Sequence, residues 1–216
     1  MAGVTVDAAP VRAEIEAACE RAGRDPAAVT LLAAVKYLAP DDLGALTAAG
    51  IEVAGENRAQ ALEEKAALHP ELRWHFIGQL QSRKVKQILP LAELVHSVAS
   101  ESVLEQLGRH GTPDTRVLIQ VNVAGEDGKA GVAPGELADF IARCPVTVSG
   151  LMTMPPAAAR PEDSRPHFRR LAELAAEHGL HELSMGTSQD FGVAVEEGAT
   201  IVRVGSRLYS RDARQD

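Results

Sequence analysis

The chain has 216 residues, of which 45% are hydrophobic and 24% charged. This balance suits one soluble α/β domain with a sizeable core and excludes a disordered or membrane-embedded chain. A formal net charge of −8 argues against a nucleic-acid partner, because neutralising phosphates needs clustered Lys and Arg. Basic residues do gather at Arg83-Lys84-Val85-Lys86 and at Arg165, Arg169 and Arg170. Both groups fall on predicted amphipathic helices and read as solvated faces. Cys19 and Cys144 follow no metal or redox spacing, so they read as small core residues in a reducing compartment. No apolar run approaches the ~18 residues of a membrane span, and no signal peptide is visible, so a cytoplasmic location is expected.

In chain order, Val11 to Ala22 carries Ile15, Ala18 and Cys19 at helical spacing and stops at Gly23, which predicts a helix packed outside a sheet. Leu31-Leu32-Ala33-Ala34-Val35-Lys36 comes next, too short for a helix and apolar on both faces, as strands of parallel sheets are. A helix is predicted over roughly 41–49, a strand at Ile51-Glu52-Val53-Ala54 and a helix over 59–68. Then come the strand Arg73-Trp74-His75-Phe76-Ile77 and a helix capped by Ser82. The alternation continues with a strand at 94–98, a helix from Ser100 to Arg109, a strand at 115–123 and the polar loop Gly125 to Gly131, read as mobile. A helix at 134–143, a strand at 146–151, a helix at 161–177, a strand at 182–185, a helix at 190–197 and a strand at 200–204 complete the series.

Eight strands alternating with helices imply a parallel sheet. We expect one α/β domain over 1–216, a single (β/α)8 TIM-like barrel with an additional N-terminal helix. The alternative is an open doubly wound sheet. In a barrel the C-terminal strand ends face the active site. They would carry Lys36, Asn57, Gly78, Ser97, Asn122, Met152, Ser188 and Gly205.

Lys36 is the first candidate. At a strand end in partly desolvated surroundings its amine would lose its proton more readily and attack an aldehyde as a Schiff-base nucleophile. The competing reading is a lysine snorkelling to water. The second candidate is the corner after strands seven and eight, the usual phosphate site of this fold. Here it reads Ser184-Met185-Gly186-Thr187-Ser188-Gln189-Asp190 and Val204-Gly205-Ser206-Arg207, small residues rich in backbone donors, each leading toward a possible helix N-terminus. Arg203 interrupts the apolar strand Ile201-Val202-Arg203-Val204, and a buried charge of that kind needs a partner. A reactive amine and an anion cradle together imply a phosphorylated aldehyde; pyridoxal 5′-phosphate (PLP) fits best, and a sugar-phosphate aldolase is the rival.

Ala34-Val35-Lys36, Gly55-Glu56-Asn57-Arg58, Trp74-His75-Phe76-Ile77-Gly78, Leu80-Gln81-Ser82, Gln120-Val121-Asn122, Gly150-Leu151-Met152-Thr153-Met154, Ser184-Met185-Gly186, Asp190-Phe191 and Val202-Arg203-Val204-Gly205 occur in this order over nearly the whole chain. In these stretches the chain resembles the pyridoxal phosphate homeostasis proteins. The resemblance implies a barrel like the N-terminal half of alanine racemase that holds PLP as an internal aldimine. By position, it implies that Lys36 takes the aldehyde, and that Ser188 with the Gly205 and Ser206 amides takes the phosphate. Arg203 would then face the pyridine nitrogen, with Asn57 near the phenolic oxygen. Val35, Thr187, Arg83 and Leu208-Tyr209-Ser210 depart from the family's usual residues; Thr187 and Tyr209 bear on loop geometry.

Two functions stay open. An amino-acid racemase needs a second proton-transfer group; Tyr37 adjoins the lysine, Tyr209 lies past the last strand, and Asp216 ends the sequence soon after strand eight. A carrier needs only reversible PLP binding, with apo PLP-dependent enzymes as recipients, and is the reading favoured here, as a monomer. The seven histidines form no metal constellation. His75 and His96 read as satisfied barrel histidines, and Met152, Met154 and Met185 as pocket walls or packing.

Overall fold

A computed structural model describes residues 4–157 and 159–211. Eight strands close a parallel barrel: β2 (Thr30–Ala34), β3 (Val53–Glu56), β4 (Arg73–Phe76), β5 (Leu94–Val98), β6 (Arg116–Gln120), β7 (Thr147–Met152), β8 (Glu182–Thr187) and β9 (Ile201–Val204). The seam is the parallel pair β2–β9, with Leu32 opposite Arg203 and Ala33 opposite Val204. This is the TIM-like barrel expected, and the open sheet is excluded.

The apolar strands conceal a strict alternation, as neighbouring side chains point to opposite faces. Leu32, Val53, Leu94, Leu118, Met152 and Ile201 fill the lumen as one cluster. Leu31, Ala33, Trp74, Phe76, Val117, Ile119, Leu151, Met185, Val202 and Val204 belong to the outer core beneath the helices. Leu32 is fully buried, so truncating it to Ala would cost ~2–5 kcal/mol. Met185 therefore packs against helices and is no pocket wall, whereas Met152 lies inside the barrel.

The outer layer contains α2 (Gly44–Ala48), α3 (Ala59–Leu68), α4 (Val85–Ile88), α5 (Glu101–His110), α6 (Leu137–Arg143), α7 (Arg165–Glu177) and α8 (Phe191–Glu196). Several predicted helices begin as 3-10 turns, at Pro40–Asp42, Ser82–Lys84, Pro134–Glu136 and Pro161–Ser164. Ser82 opens such a turn instead of capping a helix. Ser100 occupies the N-cap position of α5 without a side-chain cap bond. The basic helix α7 is a solvated face: Arg165 pairs with Glu162, Glu196 and Glu197, Arg169 with Glu197, and Arg170 with Glu173 and Glu177.

Among the described residues no helix succeeds β9; residues 205–208 turn directly into β10 (Tyr209–Arg211), which pairs antiparallel with β1 (Val4–Val6). The N-terminal helix α1 (Ala9–Ala22) takes the vacant place. It packs on α8 through buried Val11, Ile15, Ala18 and Cys19. Arg12 reaches across to the Gly50 carbonyl at 2.7 Å, just past α2. The N-terminal helix expected as an addition to the barrel is thus its eighth helix, supplied from the other end of the chain. No helix of the described residues is long and apolar enough to cross a membrane.

Candidate functional site

The C-terminal mouth of the barrel is built around the ends of β2 and β3. Val35 prolongs β2 by donating its N–H to the Gly55 carbonyl at 3.0 Å. Its own carbonyl accepts from Lys65 Nζ at 2.7 Å, and the same ammonium sits 2.6 Å from Glu56 Oε2. The other carboxylate oxygen, Oε1, accepts the backbone N–H groups of Asn57 at 2.7 Å and Arg58 at 3.1 Å. Glu56 and Lys65 are both buried, so this ion pair satisfies its hydrogen-bonding capacity within the protein, as a buried pair must. It fixes the two turns that carry Lys36 and Asn57.

Lys36 itself stands two residues beyond the end of β2 and is exposed, its Nζ 4.6 Å from the centre of the Tyr37 ring. The sequence pattern placed it at the strand end in partly desolvated surroundings; the chain instead turns just after Val35, whose carbonyl accepts the Leu38 N–H at 3.1 Å, and Lys36 lies on that turn. Asn57 is likewise exposed at the rim.

Across the β2–β9 seam lies the anion corner. Ser188 Oγ accepts the Gly205 N–H at 3.0 Å, joining the loops after β8 and β9. The hydroxyl hydrogen of Ser188 donates to no other described residue and is free for a ligand. The loop is braced by Asp190, whose Oδ1 accepts from Thr187 N at 2.7 Å and whose Oδ2 accepts from Ser164 Oγ at 2.9 Å. Gly186 enters this turn at φ 87°, and a Cβ there would lie 2.6 Å from that of Ala194, so only glycine allows α8 to pack so closely. Ser206 is exposed on the turn after Gly205. The expected helix N-terminus behind Gly205 and Ser206 is absent, since that loop returns as β10.

Arg203 forms the floor. It is buried, yet among the described residues it meets no carboxylate at ion-pair distance. Its guanidinium donates to Ser184 Oγ at 2.5 Å and to the Thr153 carbonyl at 2.9 Å, with Met154 Sδ at 2.9 Å. Burial lowers its pKa to about 10, countered in part by Asp190. A guanidinium satisfied by neutral acceptors keeps its positive field for any group that enters above it.

Lys36, Asn57, Ser188, Arg203, Gly205 and Ser206 all line one cleft of about 430 Å³, within the ~300–1,000 Å³ range of small-molecule sites. The other strand ends do not join them. Ser97 donates to the Gly78 carbonyl, and Asn122 pins the 125–131 loop through Glu126 O at 2.9 Å. Gly78 packs on the Asn57 turn so tightly that a Cβ would overlap the Asn57 carbonyl.

Met154, read as pocket wall or packing, lines the cleft, as do Gln189 of the expected corner and Tyr209; Ile77 lines it without having been singled out. The Tyr209 hydroxyl reaches the Ala34 carbonyl at 3.4 Å, and burial pushes its pKa up. The cleft opens onto a wider one of about 740 Å³ that includes Lys129 and Ala130 of the polar loop. Among the described residues no cluster of His, Cys, Asp and Glu could hold a metal ion.

No model of a protein family matches the chain. A pyridoxal phosphate homeostasis protein of Aquifex aeolicus is 43% identical over 210 residues, covering 90% of this chain and 92% of its own length. The chain belongs to the pyridoxal phosphate homeostasis protein family. Another relative of known structure is PipY of Synechococcus elongatus, solved with PLP bound. It matches this member of the family at TM-score 0.75 and 31% identity, over 91% of this chain and 100% of PipY. Alanine racemase of Corynebacterium glutamicum shares the barrel at TM-score 0.70 and 17% identity, over 99% of this chain but 64% of the racemase. That likeness establishes the fold alone.

Proposed function

We propose that the protein binds PLP reversibly at this cleft, as a Schiff base on Lys36, and serves PLP homeostasis and delivery without substantial turnover. The observation that carries the reading is one cleft lined together by a primary amine, a hydroxyl-and-amide anion corner and a buried cation. When bound, PLP supplies an electrophilic aldehyde: Lys36 Nζ forms a C=N bond to it and one water leaves. Ser188 and the Gly205–Ser206 turn hold the phosphate, Arg203 faces the ring nitrogen, and Asn57 lies at the phenolic edge. The family membership and the PLP-bound relative support the choice of ligand.

Exposure of Lys36 suits exchange, since water and a recipient apoenzyme can reach the linkage. The 125–131 loop, tethered at Asn122 and Gln120 but bordering the entrance, gates that exchange. A monomer in the cytoplasm meets these needs, and the two unpaired cysteines fit a reducing compartment.

The racemase alternative requires a second acid–base group. Tyr209 is tied to Ala34 and has its pKa raised by burial, while Tyr37 is exposed beside Lys36. Neither is placed as a base opposite the amine. The test is an absorption spectrum before and after adding PLP, with borohydride reduction and peptide mapping. The expected result is a visible band and a reduced adduct at Lys36; label at another lysine, or no uptake, overturns the reading.

A further inference from the structure

The lumen beneath Arg203 contains polar groups with no assigned role. Ser184 Oγ, which accepts from Arg203, also lies 2.8 Å from His96 Nδ1. His96 Nε2 lies 3.0 Å from His75 Nδ1. His75 then reaches the opposite, N-terminal mouth of the barrel, where a cavity of about 170 Å³ is lined by Thr30, Arg73, His75, Glu93, Arg116 and Glu182, among others. Two buried atoms of these residues have no partner, His75 Nε2 and Glu182 Oε2. His75 is only 3% exposed and His96 wholly buried.

The hydrogens in this row can be assigned by donor arithmetic. Arginine only donates, so Ser184 Oγ accepts from Arg203; its own hydrogen meets no other acceptor among the described residues and goes to His96 Nδ1. A neutral imidazole has one donor and one acceptor, so His96 carries its hydrogen on Nε2 and gives it to His75 Nδ1. His75 must then carry its hydrogen on Nε2, which points into the cavity. Burial keeps both rings neutral: His75 is lowered to about 4 and His96 is lowered as well, with His75 and Arg203 adding to the effect on His96. The charged groups that act on His75, namely Glu93, Arg73 and Arg116, oppose one another. At the mouth they are themselves paired, Arg73 with Glu93 and Arg116 with Glu182.

We propose that this cavity is a buried water site, and that water there accepts from His75 Nε2–H and donates to Glu182 Oε2. The water completes a polarised chain through His75, His96 and Ser184 that holds Arg203 in place. A polar enclosure with a spare donor and a spare acceptor is the setting in which buried water is retained. With its own hydrogen committed to His96, Ser184 Oγ keeps its lone pairs for Arg203, which is thereby held at the floor of the cleft it lines. Ser184, His96 and His75 are thus positioning residues for the arginine. This rests on the proposed binding of PLP only for its consequence, a ring nitrogen met by a preset guanidinium.

The test is nitrogen-15 NMR of the histidine rings in the wild-type protein without PLP at neutral pH, then the same measurement on Ser184→Ala. The expected result is the Nε2–H tautomer for both His75 and His96, with magnetisation transfer from water to His75 Nε2–H. In Ser184→Ala, His96 should become a mixture of tautomers. The affinity for PLP should fall roughly tenfold, as expected for one lost restraining hydrogen bond, and the absorbance of the loaded protein should shift, with Ser184→Thr restoring both. An Nδ1–H or protonated form of either ring in wild type, no contact with water, or a Ser184→Ala variant unchanged in tautomer and spectrum overturns the proposal. If wild type takes up no PLP, the cofactor reading fails, and the tautomers still decide the chain.

Discussion

Lys65 Nζ lies 2.7 Å from the carbonyl oxygen of Val35, so a buried lysine from α3 grips the backbone immediately before the exposed lysine at the cleft. Its counter-charge, Glu56, holds the Asn57 turn in the same way. Removing one member of a buried pair strands the other. Lys65→Met should therefore destabilise the fold by ~3–5 kcal/mol, read as a lower denaturant midpoint. Glu56→Gln combined with Lys65→Met should cost less than the two single changes added together, because no uncompensated charge remains.

Loss of the amine and loss of the anion corner should be separable. Lys36→Ala should abolish borohydride-trapped adduct while leaving some PLP bound through its phosphate. Ser188→Ala should keep the trappable linkage but weaken PLP binding by roughly 1–3 kcal/mol, the range for a hydrogen bond to a charged group. Equilibrium titration monitored by absorbance checks both; an unchanged dissociation constant in Ser188→Ala would remove the phosphate from that corner.

Acid should weaken the fold through the lumen histidines. His75 falls from an ordinary 6.5 to about 4 on folding because burial disfavours its charged form. Above pH 6.5 both folded and unfolded chains keep it neutral, and its contribution to stability is complete. Between 6.5 and about 4 the unfolded chain takes up a proton that the folded one refuses, so stability falls with pH by roughly 3 kcal/mol in total from this group. His96, shifted in the same direction, adds to the fall. Denaturant titrations at pH 7 and pH 4.5 should show it, and His75→Leu should flatten the profile.

Gly78 offers a steric test of the rim. An added Cβ would overlap the Asn57 backbone carbonyl, and backbone cannot yield as a side-chain tip can. Gly78→Ala should cost ~1–3 kcal/mol and weaken PLP binding by displacing Asn57. Gly44→Ala, at the first residue of α2 with open space around it, should instead be neutral or stabilising by up to ~1 kcal/mol. Thermal melts of the two variants provide the comparison.

The barrel was legible because each strand is an apolar run punctuated by glycine, proline or acidic turns, and eight such units leave few other architectures. β1 and β10 were not legible: three-residue strands carry too little pattern, and their pairing depends on contacts between the chain's ends. The missing eighth helix escaped notice for the same reason. Gly205-Ser206-Arg207 has the composition of a helix approach, and only the pairing of Tyr209–Arg211 with β1 diverts it into a strand.

At the site, the residues expected at the cleft do share it, because strand order alone brings Lys36, Ser188 and Gly205 to one mouth. The solvent exposure of Lys36 was misread, since the strand gives way to the turn closed by Leu38 N–H on the Val35 carbonyl, which the apolar run does not announce. Lys65 was not singled out within the helix predicted over 59–68. The signal was its spacing, for Ala59, Leu62 and Lys65 fall on one buried helical face.

The use of α1 as the eighth helix has a kinetic consequence. α1 precedes every barrel strand in sequence, yet it packs on α8, far along the chain, and the barrel beneath closes only once β9 has arrived to pair with β2. Contacts so distant in sequence incur the full entropy of closing the loop between them before any reward is returned. A nascent chain would thus leave the apolar stripe on α1 uncovered until α8 and β9 have been made. Annealing of that join is the step at which this protein should fold slowest and stand most in need of a chaperone.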